Sequence, residues 1–242
     1  MNRNKTVMRI IRYAFLVLFT LCAGILSAQV PQGFTPIFNG NNLDGWHISR
    51  TTHQGTTLGC AVKDNAICIT QKPFGQGGVL LSDKKYKNFE LYLEAKVDSM
   101  SNGGIFIRSS ESGIAYQVEI DENAGSTGSL LGDRMPVSKS AIAEKRAEVW
   151  KANDWNSFRI RMTGDTPHIT LWINDVQMWE VQEPKNDFIA SATSGMIGLQ
   201  VHWTALYSPA SGVWNGLTSW APGAVHRFRN IAIKEMDEIS EQ

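Results

Sequence analysis

The chain has 242 residues, a length that suits one large β domain or two small ones. Apolar residues make up 43% and charged residues 19%, with 23 bases against 23 acids. That balance excludes a disordered polyelectrolyte and shows none of the basic excess that marks nucleic-acid binding.

Residues 1–28 carry four bases, Arg3, Lys5, Arg9 and Arg12, and no acid. An apolar run from Tyr13 to Leu26 follows them. It is shorter than the ~20 residues a spanning helix needs, and the small pair Ser27-Ala28 comes next. This predicts a signal peptide over 1–28, cleaved after Ala28, and an exported protein, periplasmic or secreted. Cys22 follows Leu21 rather than a small residue, which speaks against a lipid anchor. After cleavage no stable membrane insertion is expected. The remaining chain has 19 bases against 23 acids, and such a mildly acidic body has no electrostatic reason to seek DNA or anionic lipid.

From residue 29 onward period-two alternation dominates. Short strands are expected at Thr35–Phe38 and Trp46–Ser49. In CAVKDNAIC a two-residue turn at Asp64-Asn65 pairs Val62 with Ile67 and puts Cys60 on the opposite face from Cys68. That register predicts two free, buried thiols, whereas a three-residue turn would bring them together. Strands are expected at Gly78–Ser82, Phe89–Val97, Gly104–Ser109 and Ala115–Asp121. In the second of these Phe89, Leu91, Leu93, Ala95 and Val97 share one face. Ser140–Trp150 is the one stretch of helical composition and reads as a loop with one or two helical turns. NSFRIRM, HITLWI and VQMWEV are three more strands, the last two joined by an Asn174-Asp175 turn. GMIGLQVH and VHRFRNIAI follow. Between the last two lies 205–222, rich in Gly, Ser, Pro and Trp, which reads as an insertion loop. The pattern predicts one β-sandwich domain over 29–242, with Phe89, Leu91, Leu93, Ile160, Leu171 and Ile197 in its core.

Several polar residues stand out of phase with core positions. Tyr116, Val118 and Ile120 alternate with Gln117, Glu119 and Asp121, so the two carboxylates lie about 7 Å apart along one strand face. A wet outer face would look the same, but paired carboxylates also divide acid and base roles in glycosidic chemistry. Arg108 closes the strand IFIR. Gln200 and His202 share a face, and His202 can act as acid or base near neutral pH. Trp46, Trp172, Trp203, Trp214 and Trp220 are candidate platforms for sugar rings or core residues. No spacing points to a metal or another cofactor, and none specifies an oligomeric state.

The motifs FTPIFNGNNLDGW, GGIFIRS, YQVEID, TGSLLGDR, DWNSFRI, ITLWIND, GLQVH and FRNIAI, in this order, resemble the 3-keto-disaccharide hydrolase domain family over about Phe34 to Lys234. The resemblance implies a concanavalin A-like jelly-roll sandwich of two antiparallel sheets. It also implies an enzyme that cleaves the glycosidic bond of a small or 3-keto-modified saccharide, by hydrolysis or elimination. On this reading Glu119, Asp121 and His202 are the catalytic candidates. Arg108, Gln117, Gln200, Trp46, Trp172 and Trp203 would bind the sugar, with the strand at 116–121 on the concave face. Glu119-Ile120-Asp121 is also similar to the catalytic strand of laminarinase-type glycosidases, whose final glutamate is absent here. A non-catalytic carbohydrate-binding module is the rival reading, because one fold can host both.

Overall fold

The computed structural model describes residues 30–122, 124–138, 141–189, 192–204, 207–208, 213–214 and 220–237. The expected leader at 1–28 and most of the expected insertion at 205–222 lie outside the described residues. The strands are β1 (Thr35–Pro36), β2 (Trp46–Ile48), β3 (Gly59–Lys63), β4 (Ala66–Thr70), β5 (Gly78–Tyr86), β6 (Phe89–Val97), β7 (Asn102–Ser109), β8 (Ala115–Asp121) and β9 (Leu130–Asp133). The single-turn helix α1 (Arg146–Val149) precedes β10 (Asn156–Thr163), β11 (His168–Ile173), β12 (Val176–Gln182) and β13 (Gly195–Val201). A two-residue pair, β14 (Tyr207–Ser208) and β15 (Val213–Trp214), stands before β16 (His226–Glu235).

These strands form a jelly-roll sandwich of two antiparallel sheets. One runs β12-β11-β10-β6-β16-β4-β3, with β1 joined to β16; the other runs β2-β5-β13-β7-β8-β9. Alternation explains the layers. Ile160 on β10 stands opposite Leu91 on one side and Leu171 on the other, and Phe158 stands between Leu93 and Ile173. All six expected core residues, Ile197 included, are fully buried between the sheets.

Two tight hairpins set register as their turn residues demand. Asp64 and Asn65 have φ of 51° and 58°, and Asn174 and Asp175 have 49° and 66°. Two left-handed residues in succession are the signature of the turn that matches strand twist, and Asn and Asp tolerate that region. The first turn pairs Ala61 with Cys68 and Cys60 with Ile69, and both cysteines are free. They are half-buried rather than buried, Cys60 on the edge strand β3 and Cys68 on its neighbour β4. Burial still pushes the Cys60 thiol up to about 12. The short strand β9 has no clear alternation and is not visible in the sequence.

The six-stranded sheet departs from simple alternation, being covered on both faces. Val79, Leu81, Phe106, Ala115 and Met196 form a second apolar cluster on the side away from the main core. The segment after β2 closes over it. The Ser49 hydroxyl donates to the Glu111 carbonyl, the Gln54 amide donates to Asp133, and Gly77 N–H donates to the Gln54 carbonyl. The covered side of this sheet is called the site face below.

Candidate active site

Register assembles the site face from three strands. Glu119 on β8 stands opposite Gly104 on β7, and Gly104 stands opposite Gln200 on β13. One step further along, Asp121 stands opposite Asn102, whose carbonyl accepts the His202 N–H. Gly104 leaves room here for a side chain from the neighbouring strand. A Cβ at that position would lie 2.5 Å from Nε2 of Gln117, which crosses the strand to donate to Oε1 of Gln200 at 3.0 Å and to the Gly103 carbonyl at 3.1 Å. The structure therefore brings Gln117, Glu119, Asp121, Gln200 and His202 together.

Their exposure separates their roles. Gln200 is fully buried and its Nε2 finds no partner among the described residues; Gln117 is 5% exposed and bonded within the protein. These amides form the floor beneath the accessible groups. Asp121 is 3% exposed, with Oδ2 accepting from Asn102 and Oδ1 from the Ala124 N–H. Its carboxylate pins the turn after β8. Glu119 and His202 are half-buried and reach the surface. Burial holds the Glu119 carboxyl above the usual carboxylate range; a hydrogen bond from Ser126 opposes this and the Asp121 charge adds to it.

His202 is displaced in the other direction. Burial lowers it, against the hydrogen bond to Trp203 and the charges of Asp133 and Asp121. Its Nδ1 lies 2.6 Å from the Trp203 carbonyl, which can only accept, so Nδ1 carries the proton and Nε2 keeps its lone pair. The Trp203 indole, 39% exposed, stacks on the imidazole at 5.6 Å between centroids. The site thus offers a protonatable carboxyl, a neutral imidazole with a free nitrogen and an exposed aromatic plane.

Three neighbours were not singled out in the sequence. Asp133 is 7% exposed and raised by burial, against the pull of His53, Gln54 and His202. His53 Nε2 lies 3.5 Å from Asp133 Oδ1, and Gln54 ties Asp133 to the Trp203 N–H. The TGSLLGDR motif contained Asp133; His53 and Gln54 sit in a loop whose covering role leaves no periodic signal. Among the described residues no three His, Cys, Asp or Glu side chains converge as metal ligands.

Three expected sugar contacts lie elsewhere. Trp46 is 6% exposed in the main core and donates to the Ile37 carbonyl, because its neighbour His47 takes the opposite face of β2. Trp172 belongs to the other sheet, where the guanidinium groups of Arg159 and Arg161 lie 4.1 and 5.3 Å from its ring. Arg108 is turned off the site face by a bulge. Trp220 is buried against His226, so of Trp46, Trp172, Trp203 and Trp220 it is Trp203 that lies at the site.

Residues 33–234 match the model of the 3-keto-alpha-glucoside-1,2-lyase-like domain. The chain belongs to this family. A 3-keto-disaccharide hydrolase of Bacteroides thetaiotaomicron is 34% identical to it over 91 residues, covering 35% of this chain and 31% of that protein. The chain therefore matches about a third of the length of that relative. Among solved structures, a glycosyl hydrolase candidate from Parabacteroides distasonis superimposes with a TM-score of 0.55 at 19% identity, covering 85% of this chain and 95% of that one. The Emp46p carbohydrate recognition domain gives 0.51 at 8% identity, covering 86% and 97%. At such identities the likeness is one of fold. The lyase-like domain thus shares its sandwich with proteins named for catalysis and for recognition.

Proposed function

We propose that the protein is an exported enzyme that cleaves the glycosidic bond of a small saccharide oxidised at carbon 3. One observation carries this reading: a half-buried carboxyl held above its usual range, Glu119, shares a sheet face with a neutral imidazole, His202, beside an exposed indole. Groups poised in this way suit proton transfer near neutral pH. The family and the name of the Bacteroides relative support a 3-keto sugar as substrate.

A ketone at carbon 3 acidifies the hydrogen on carbon 2. Glu119 takes that proton, and the C–H electron pair becomes the double bond between carbons 1 and 2. The bond from carbon 1 to the glycosidic oxygen breaks with its electrons, and the leaving oxygen picks up a proton. Water then adds across the double bond and gives the free 3-keto sugar. His202 Nε2 accepts a hydrogen bond from a sugar hydroxyl, and Trp203 packs against the ring. Gln117 and Gln200 hold the floor, and Asp121 keeps a negative charge near Glu119. Reaction in deuterium oxide tests the route, with magnetic resonance reading carbon 2 of the product. Elimination and hydration leave deuterium there. Release of the aglycone with hydrogen retained would replace this route by direct hydrolysis.

An exposed tryptophan on a fold shared with a carbohydrate recognition domain favours one second reading, a binding module. It predicts sugar binding with no bond cleavage. Export rests on the basic start and the apolar run to Leu26. N-terminal sequencing of the secreted or periplasmic form is expected to begin near Gln29; a chain retaining Met1 would contradict it.

A further inference from the structure

Arg108 leaves the site face because of a local distortion. It has a left-handed φ of 49°, and the pairing of β13 with β7 slips between Met196 and Gly198. A Cβ on Gly195 would lie 2.3 Å from the Arg108 carbonyl carbon, so only glycine lets β13 pass the bulge. Bulges of this kind re-aim side chains. Here the guanidinium, 1% exposed, turns into one end of the sandwich. Nε and Nη2 donate to the Lys87 carbonyl at 2.9 and 2.6 Å, and Nη2 reaches Asn88 Oδ1 at 3.4 Å. Nη1 makes no hydrogen bond to the described residues.

Tyr116 comes to the same place from the core-facing side of β8. It is also 1% exposed, and its hydroxyl proton finds no acceptor among the described residues, the neighbouring Asn186 amide standing only as a donor to the phenol oxygen. The Asn186 side chain beside it is engaged with the Met135 sulfur and the Phe188 N–H. Arg108 and Tyr116 line a pocket of about 250 Å³ together with Thr166, Thr193, Asn186 and Lys185. Asp165 also lines it but is paired with Lys87 at 3.3 Å.

The deepest groups, Arg108 Nη1 and the Tyr116 hydroxyl, thus present donor hydrogens with no acceptor among the described residues, while the Thr166, Thr193, Asn186 and Asp165 oxygens also line the pocket. Burial lowers Arg108 only to about 10, so it stays charged at neutral pH, and burial raises the Tyr116 hydroxyl, which stays protonated. Asp165 is paired with Lys87 and Asp187 with Lys185, so Arg108 leaves the balance of charge around the pocket positive. A carboxylate offers two coplanar acceptor oxygens, which suit a guanidinium edge and a hydroxyl. The volume lies below the roughly 300–1,000 Å³ of sites for drug-sized ligands, which limits the occupant to about a monosaccharide. We propose that this pocket binds a small organic carboxylate, up to the size of a sugar acid, at a site separate from the candidate active face.

Calorimetric titration of the full chain with D-glucuronate, D-glucose and sulfate at matched ionic strength tests this. Glucuronate is expected to bind, and glucose and sulfate to give no comparable heat. Tyr116→Phe is expected to weaken glucuronate about tenfold or more, because it removes a hydrogen bond to a charged group. Its melting temperature should fall little, since the hydroxyl proton has no acceptor among the described residues. Lys185→Ala is expected to weaken binding less and to flatten its salt dependence. Arg108→Lys removes the two-pronged brace on the Lys87 carbonyl and is expected to destabilise the fold, so the other two variants decide the matter. Absence of glucuronate binding at millimolar concentration, equal binding of sulfate, or unchanged affinity in Tyr116→Phe would overturn the proposal.

Discussion

The outer face of the eight-stranded sheet and the site face of the six-stranded sheet both carry charged and aromatic side chains, arranged on different principles. On the outer face charges meet across strands. Arg161 pairs with Glu90, Arg229 with Glu94 and Arg227 with Asp98, each at 2.6 Å. Trp172 lies against Arg159, and Trp155 lies 4.0 Å from Arg229. On the site face Glu119 and Asp133 are held high and His202 low, each chiefly by burial. Cross-strand pairing supports a sheet. Titratable groups crowded together against the cost of burial mark a place for chemistry.

Replacing Glu119 breaks that comparison most severely. Glu119→Gln is expected to lower turnover about 10²–10⁴-fold, the usual contribution of proton transfer, while Trp172→Ala leaves it unchanged. Steady-state kinetics on one substrate read both. Stability should respond in the opposite sense. Glu94→Ala leaves Arg229 without its partner and is expected to cost about 1–3 kcal/mol in denaturant unfolding. Glu119→Gln relieves a desolvated carboxyl and should leave stability equal or higher.

His226 separates burial from function. It is fully buried, with Nε2 2.8 Å from the Ser101 hydroxyl, and burial pushes it down to about 3. The unfolded chain binds a proton there below about pH 6.5 and the folded chain does not. Its contribution therefore lowers stability by about 1.4 kcal/mol per pH unit as pH falls from about 6.5 toward 3, and is absent above that range. Denaturant melts across this window, with His226→Phe expected to flatten the slope, measure it. A smaller effect concerns Glu119. Removing the Asp121 charge in Asp121→Asn should move the acid limb of kcat/KM to lower pH, because that charge helps hold Glu119 up. An unmoved limb would detach the limb from Glu119. Smallest, Trp203→Ala should raise KM by about 2–10-fold, in the range of one aromatic contact, with kcat nearly kept.

The sandwich was legible because alternation reports burial directly. Phe89, Leu91 and Leu93 could face only a core, and Asp64-Asn65 and Asn174-Asp175 suited two-residue turns, though at the first a three-residue turn stayed open until the structure fixed the register. The polar set on β8 was equally visible, whereas its union with Gln200 and His202 was implied only by the family resemblance, because alternation does not say which strands are neighbours. Arg108 could not be placed, because phase in a strand carries through only until a bulge breaks it. Trp46 and Trp172 could not be assigned, since either layer of a sandwich can bury or expose an indole. His53 and Gln54 reach Asp133 through a loop, and loop paths leave no period in sequence.

The central claim is that the site face cleaves a 3-keto glycoside. Incubating the protein with a glycoside and its 3-keto derivative, beside Glu119→Gln, and following aglycone release tests it most directly. The account predicts release from the 3-keto compound by the unmodified protein, and little from the parent glycoside or from the variant. Absence of release from either compound, or equal release by Glu119→Gln, would contradict it.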